Sequence, residues 1–283
     1  MTGICRFTIG EFKCTVLSDG SGIFPGGKPA EMMFAAAPQA EAEAALRERG
    51  EPTDVMSNQI NCLLIDTGEQ LLLVDTGLGA ASQGGMGILL DSLREAGHTP
   101  DEIDRVIISH GHGDHINGLT DESGNLIYPN ARFVFWRSEW EHWTDEAWLS
   151  ERPEMAAQAA RKHLPPLKDH LQLVDSESDI VPGVRALPTP GHTPGHLSLL
   201  ISSGGEHLIY VGDAFLHPLH VEHPEWSAVF DTSYEDAAAT RPKLYRRAVE
   251  TNALLLVYHI TFPGLGRIVT DGDGWQWQPE ATA

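Results

Sequence analysis

The chain has 283 residues, of which 41% are hydrophobic and 21% charged, the balance of a folded globular protein and not of a disordered one. The formal charge is −21, and a surface that acidic repels phosphate backbones, which argues against nucleic acid as a partner. Cys5, Cys14 and Cys62 are odd in number and lack a Cys-x-x-Cys spacing, which argues against a disulfide framework or a zinc ribbon.

In chain order, Ile4–Ile9 and Phe12–Leu17 flank Gly10-Glu11 and predict a hairpin. Residues 20–30 are rich in Gly and Pro and read as a loop. The Ala- and Glu-rich stretch Glu31–Arg49 predicts a helix after Pro38. The segment 20–55 is expected to be a lid or an oligomer arm, so a homodimer is in view. Gln59–Asp66 and Gln70–Val74 predict a second hairpin, ending at Asp75. Leu89–Ala96 has the pattern of an amphipathic helix stopped by Gly97, and Pro100-Asp101-Glu102 turns the chain into a strand over 105–109. A helix is expected from Ile116–Leu119, a strand over Ala131–Phe135, and helices over Ser138–Ser150 and over Pro153–His170, the last interrupted by Pro165-Pro166. Further strands are expected at Leu171–Val174, Val184–Leu187, Leu197–Ile201, His207–Val211, Leu254–Val257, Arg267–Thr270 and Trp275–Trp277. Glu235–Thr251 reads as a helix that starts afresh near Pro242. Hairpins with intervening helices predict a layered α/β protein with mixed sheets, read as a single domain over 1–283. The N-terminus lacks the pattern of a signal peptide, and no stretch approaches the ~20 apolar residues of a membrane span, so the cytoplasm is the expected location.

His110-Gly111-His112-Gly113-Asp114-His115 follows the apolar run Val106-Ile107-Ile108. Imidazole and carboxylate at a rigid strand end are what divalent metal ions take as ligands. One cluster does not complete a catalytic site. His192 in Thr189-Pro190-Gly191-His192, Asp213 after Tyr210-Val211-Gly212, and His259 after Leu254–Val257 stand at loops following strands and are candidates to complete it.

With Asp75, this ordered series resembles the metallo-β-lactamase superfamily, over about residues 4–280. The resemblance implies a four-layer αββα sandwich with two metal ions at one edge. It implies that His110, His112 and His192 hold the first ion, that Asp114, His115 and His259 hold the second, and that Asp213 bridges them. Two such ions flank a bridging hydroxide and polarise the substrate oxygen. The catalytic residues are then Asp114, which orients the nucleophile or carries a proton, and Asp213. Asp75 and His196 are expected to sit behind the ligands, with Asp75 fixing an imidazole by hydrogen bond. Zinc is the expected metal, with Mn, Fe and Co as alternatives that His and Asp also accept.

Gly212-Asp213-Ala214-Phe215-Leu216-His217-Pro218 and His259-Ile260-Thr261-Phe262-Pro263-Gly264-Leu265-Gly266 are similar to the branch containing methyl parathion hydrolase and quorum-quenching N-acyl-homoserine lactonases. That similarity implies a hydrolase opening a lactone or cleaving a related neutral ester of a small molecule. Phosphotriester hydrolysis is the alternative, followed by thioester hydrolysis and by iron-dependent oxidoreduction. Many homoserine lactonases carry a Tyr three residues after the bridging Asp, where this chain has Leu216. Tyr258 is read as packing. Phe215, His217, Trp143, Trp226 and Phe262 are the candidate pocket wall, together with Met32-Met33-Phe34, and His220 and His223 are read as surface histidines.

Overall fold

The structure, a computed structural model, describes residues 3–24, 26–80, 85–152 and 154–280. Pro153, read above as a helix start, lies outside them, as does Pro25 within the predicted loop.

Among the described residues, two seven-stranded sheets build the molecule. In the first, the spatial order follows the chain: β1 (Ile4–Ile9), β2 (Phe12–Phe24), β3 (Met56–Asp66), β4 (Leu71–Val74), β5 (Arg105–Ile107), β6 (Arg132–Trp136) and β7 (Leu171–Val174). The β1–β4 strands pair antiparallel and β4–β7 parallel. The second sheet runs from β8 (Asp179–Val181) through β9 (Val184–Pro188), β10 (Leu197–Ser203), β11 (Glu206–Gly212), β12 (Leu254–Val257) and β13 (Leu265–Asp271) to β14 (Gly274–Pro279). Here β11 and β12 pair parallel and the other neighbours antiparallel.

The helices are α1 (Pro29–Met33), α2 (Gln39–Glu48), α3 (Leu89–Ala96), α4 (Gly113–Ile116), α5 (Arg137–Thr144), α6 (Glu146–Leu149), α7 (Glu154–His163), α8 (Leu219–Glu222) and α9 (Tyr234–Glu250). Strand alternation explains the layering. Leu199, Ile201, Leu208, Tyr210, Leu254 and Leu256 join the core shared with the first sheet. Their neighbours Ile209, Val211, Leu255 and Val257 point the other way, against Leu244, Tyr245 and Ala248 of α9. With α3 on β2 and α5 on β6 and β7, the order is helix, sheet, sheet, helix.

The sequence expectations differ from this in places. The loop expected at 20–30 is strand over 20–24, because β2 continues to Phe24 past a bulge between Ser18 and Gly20, and α1 begins at Pro29. Gly20 adopts φ +105 there, and a Cβ on it would meet Gly85 O at 2.3 Å. The helix expected from Ile116 begins at Gly113, within the His-rich motif, and gives way to a 3₁₀ turn over Asn117–Leu119. The helix over Ser138–Ser150 breaks at Asp145, whose side chain caps α6 by accepting from Ala147 N–H. The short β8 and α8 were not expected. α9 does not restart at Pro242; it continues through it, held by buried Thr240, Arg241, Leu244 and Tyr245.

The segment 29–56 forms a third apolar cluster. Met33, Phe34, Leu46 and Met56 pack on Leu216, Leu219 and Trp226. Among the described residues no helix is long and apolar enough to cross a membrane.

Candidate metal centre

Loops at the same edge of both sheets bring the singled-out residues together. His110, His112, Asp114 and His115 follow β5, His192 lies between β9 and β10, Asp213 follows β11, and His259 follows β12. Their donor atoms form groups compact enough to hold metal ions: His110, His112 and His192; His110, His115 and Asp213; and Asp114, His115 and His259. Oδ2 of Asp213 is common ground. It lies 3.2 Å from His259 Nε2, 3.4 Å from His192 Nε2, 3.5 Å from His115 Nε2 and 3.9 Å from His110 Nε2.

The outer face of each imidazole decides what its inner nitrogen offers. His259 Nδ1–H donates to Gln59 O at 2.8 Å. His192 Nδ1–H donates to Asp231 Oδ1 at 2.9 Å, and His115 Nδ1–H to Asp75 Oδ2 at 2.8 Å. In the neutral imidazole each contact leaves Nε2 with a lone pair aimed inward, toward carboxylate oxygens that also carry lone pairs. His112 Nδ1 lies 2.8 Å from His110 Nε2 and 2.9 Å from His192 Nε2. One nitrogen cannot satisfy both with a single proton. His115 Nε2 and Asp213 Oδ1 are buried with no hydrogen-bond partner. Converging lone pairs and orphaned acceptors are what a pair of cations satisfies, so the residues present fit divalent metal ions.

Electrostatics divide the cluster: burial favours the neutral form of His110 and His112, while against burial the neighbouring carboxylates raise His115 and His259. Burial, reinforced by His115, His112 and His192, holds the His110 imidazole well below its ordinary range, and burial and His192 do the same to His112. Neutral imidazole is the ligand form. Burial opposes the charge on Asp213, but His259 and His115 outweigh it and keep the carboxyl well below the usual carboxylate range. Burial likewise opposes a charge on His115, and Asp213, Asp75 and Asp114 override it, raising that imidazole.

The second layer is dense. Asp75 sits at φ +59, a left-handed conformation that Asp tolerates. It accepts from Ser109 N–H at 2.8 Å, Ser109 Oγ–H at 2.7 Å and Tyr210 O–H at 2.7 Å besides His115. His196 Nε2 accepts the Asp213 backbone N–H at 3.0 Å while Nδ1 meets Thr189 Oγ1 at 2.8 Å, and burial pushes this imidazole down to about 3. It braces Asp213 from behind, and its Nε2 is occupied by that bond. Tyr258 stacks on His115 with centroids 3.9 Å apart, and its O–H donates to Asp114 O at 2.6 Å, so it both packs and ties two loops.

Four polar residues that the sequence reading passed over complete the support. Asp231, pulled down to about 2 by His192 and Arg241 against the effect of burial, links those two groups. Arg241 also donates to Ala214 O and Trp226 O. Asn61 Nδ2 donates to Val257 O and Ile260 O on either side of His259. Asp19 accepts from Leu78 N–H and Leu89 N–H and fixes the loop after Asp75; burial pushes its carboxyl up to about 6.

A cavity of about 500 Å³ opens over His112, Asp114, His192, Asp213 and His259. Phe24, Met33, Leu46, Val55 and Phe230 make much of its wall, with Leu216 and His217. Of the five residues proposed from sequence, only His217 lines it. Phe215 is fully buried against Tyr245 and Trp277, because its neighbour Leu216 takes the cavity side. Trp143 lies beneath Gly111 and His112, and Trp226 is buried against Phe34. Phe262 packs on the first sheet core. Of Met32-Met33-Phe34, Met33 reaches the cavity and Phe34 is core. His220 is not a surface residue: it is fully buried, with Nε2–H donating to Met33 O at 2.8 Å. His223 stacks on Trp226 with its side chain 41% exposed.

Comparison with known proteins decides the family. The sequence profile of the metallo-beta-lactamase superfamily matches residues 56–258. The chain belongs to this superfamily. It is 27% identical over 171 residues to an N-acyl homoserine lactonase of Bacillus thuringiensis, an alignment covering 54% of this chain and 62% of that protein. It is 30% identical over 157 residues to the atrochrysone carboxyl ACP thioesterase of Passalora fulva, covering 55% of this chain and 38% of that enzyme. The chain thus aligns with less than two thirds of each relative's length. The solved structure of AidC, a dizinc quorum-quenching lactonase in complex with a product, superposes with a TM-score of 0.88 at 28% identity, covering 99% of this chain and 98% of that one. This superfamily member therefore has the αββα architecture of two large sheets.

Proposed function

We propose that the chain is a dinuclear metal-dependent hydrolase that opens lactones or cleaves related neutral esters. The observation that carries this reading is Asp213 Oδ2 standing within 3.2–3.9 Å of four inward-facing histidine nitrogens. Its likeness to a lactonase in sequence and to a dizinc lactonase in structure supports the substrate class and supports zinc as the metal. His110, His112 and His192 would hold one ion, Asp114, His115 and His259 the other, with Asp213 shared. Such ions act as Lewis acids on a carbonyl oxygen and acidify water.

The chain's own groups divide the remaining work. Asp114 lines the cavity with its side chain 26% exposed, beside His259 Nε2 at 3.4 Å; its carboxylate would take the proton of the water that adds to the acyl carbon and pass it to the alkoxide oxygen released as the C–O bond breaks. Leu216, which stands at the sequence position where many homoserine lactonases carry a Tyr, lines the cavity with no proton to give, so proton delivery falls to Asp114. The apolar wall from Phe24, Met33, Leu46 and Val55 excludes water and accommodates a hydrocarbon portion of the substrate. Within the segment 20–55, the stretch from Pro29 to Val55 acts as its lid. Likeness to a thioesterase favours a thioester as the second reading.

The test is a zinc- or manganese-loaded preparation assayed on acyl-homoserine and simpler lactones, thioesters and phosphotriesters, with kcat/KM compared across classes. Lactones are expected to lead, and His112→Ala and Asp213→Ala to abolish turnover. Full lactonase activity in both variants would overturn the reading.

A further inference from the structure

Glu139, on α5, is fully buried. Its Oε1 accepts hydrogen bonds from Gly111 N–H at 2.8 Å and Trp143 Nε1–H at 2.7 Å. Its Oε2 accepts from Thr193 Oγ1–H at 2.8 Å and Gly195 N–H at 2.9 Å. Gly111 stands between His110 and His112, and Thr193 and Gly195 follow His192. One carboxylate therefore grips both loops whose imidazoles form the His110–His112–His192 group.

The packing leaves no slack. A Cβ on Gly111 would lie 2.3 Å from the Trp143 ring, and one on Gly195 would lie 2.3 Å from Glu139 N. All four partners are donors, so a protonated carboxyl would set its O–H against another donor; the arrangement fits the anion. All four are also neutral. A buried anion ringed only by neutral donors is costly unless positive charge stands near.

We propose that Glu139 is a positioning residue for the His110–His112–His192 cation site, locking its two loops in register and supplying fixed negative charge behind them. This rests on the dinuclear reading above. Glutamine at 139 keeps the shape but turns an NH₂ group toward donors and removes the charge.

The metal-free full chain is titrated with Co²⁺, following the visible absorption of the bound ion, and the thermal midpoint of the metal-free form is recorded in parallel. The wild type is expected to take up about two ions. Glu139→Gln is expected to weaken one of the two by about tenfold or more, with altered absorption bands that excess Co²⁺ restores in intensity. Thr193→Val keeps the carboxylate, removes one donor and is expected to weaken the same site about threefold. A lower midpoint with unchanged Co²⁺ affinity would make Glu139 merely structural and overturn the proposal. If Glu139→Gln fails to fold, Thr193→Val decides on the same criterion. A wild type that takes up no Co²⁺ overturns the dinuclear reading along with this one, whereas two ions bound equally well by all three proteins overturn this one alone.

Discussion

His115 donates from Nδ1 to Asp75 Oδ2 across 2.8 Å, with both side chains fully buried, and that contact turns His115 Nε2 toward Asp213. Asp75 lies outside the inner ring of donors yet sets the tautomer of one of its members. Asp75→Asn offers an amide that cannot accept from every donor Asp75 now serves. It is expected to weaken metal retention about 10–100-fold in chelator competition, the usual scale for losing a partner behind a ligand.

Asp231 and Arg241 form a fully buried ion pair at 2.8 Å. Arg241→Met would leave the Asp231 carboxylate buried with only His192 and the Ala228 N–H to stabilise it. The expected loss is about 3–5 kcal/mol in denaturant unfolding. A loss below about 1 kcal/mol would show that Asp231 does not depend on this cation.

His163 is buried on α7 against Thr120, and burial pushes its imidazole down to about 4. The unfolded chain protonates this residue near its ordinary 6.5. Its contribution is therefore complete above 6.5, declines as pH falls below that value and is lost once pH passes through 4. Metal-free wild type should lose more stability across this window than His163→Gln does. Parallel curves for the two proteins would contradict the assignment.

Across the cavity, Glu51 from the 20–55 segment receives a hydrogen bond from His217 Nε2 at 2.6 Å, while Arg49 bridges to Glu222 at 3.0 Å. These contacts hold this side of the cavity against the loop after Asp213. Glu51→Ala is expected to raise KM about tenfold with a smaller effect on kcat, since it loosens the wall and leaves the metal ligands in place. A selective fall in kcat would place Glu51 in the chemistry instead.

How much of this was readable from sequence follows from how local each feature is. The His110–His115 run carries its own chemistry, and Asp213 and His259 each follow a strongly apolar strand, so the edge where they meet could be anticipated. Which of two adjacent side chains faces a cavity is a matter of phase: Phe215 and Leu216 are both apolar, and tertiary packing sends the first inward to Tyr245 and the second to the site. His220 reads as polar surface because the Met33 carbonyl that buries it comes from 187 positions away. Glu139 hides for the same reason. On a helix with Arg137, Glu141 and His142 it looks like one more solvated charge, and only the approach of Gly111 and Gly195 reveals it.

The most direct test of the shared role of Asp213 is metal content by elemental analysis after zinc loading and gel filtration, in wild type and in Asp213→Ala. About two ions per wild-type chain are expected, with a drop to one or fewer in the variant. Two ions retained without Asp213, or none held with it, would contradict a carboxylate shared between two ions.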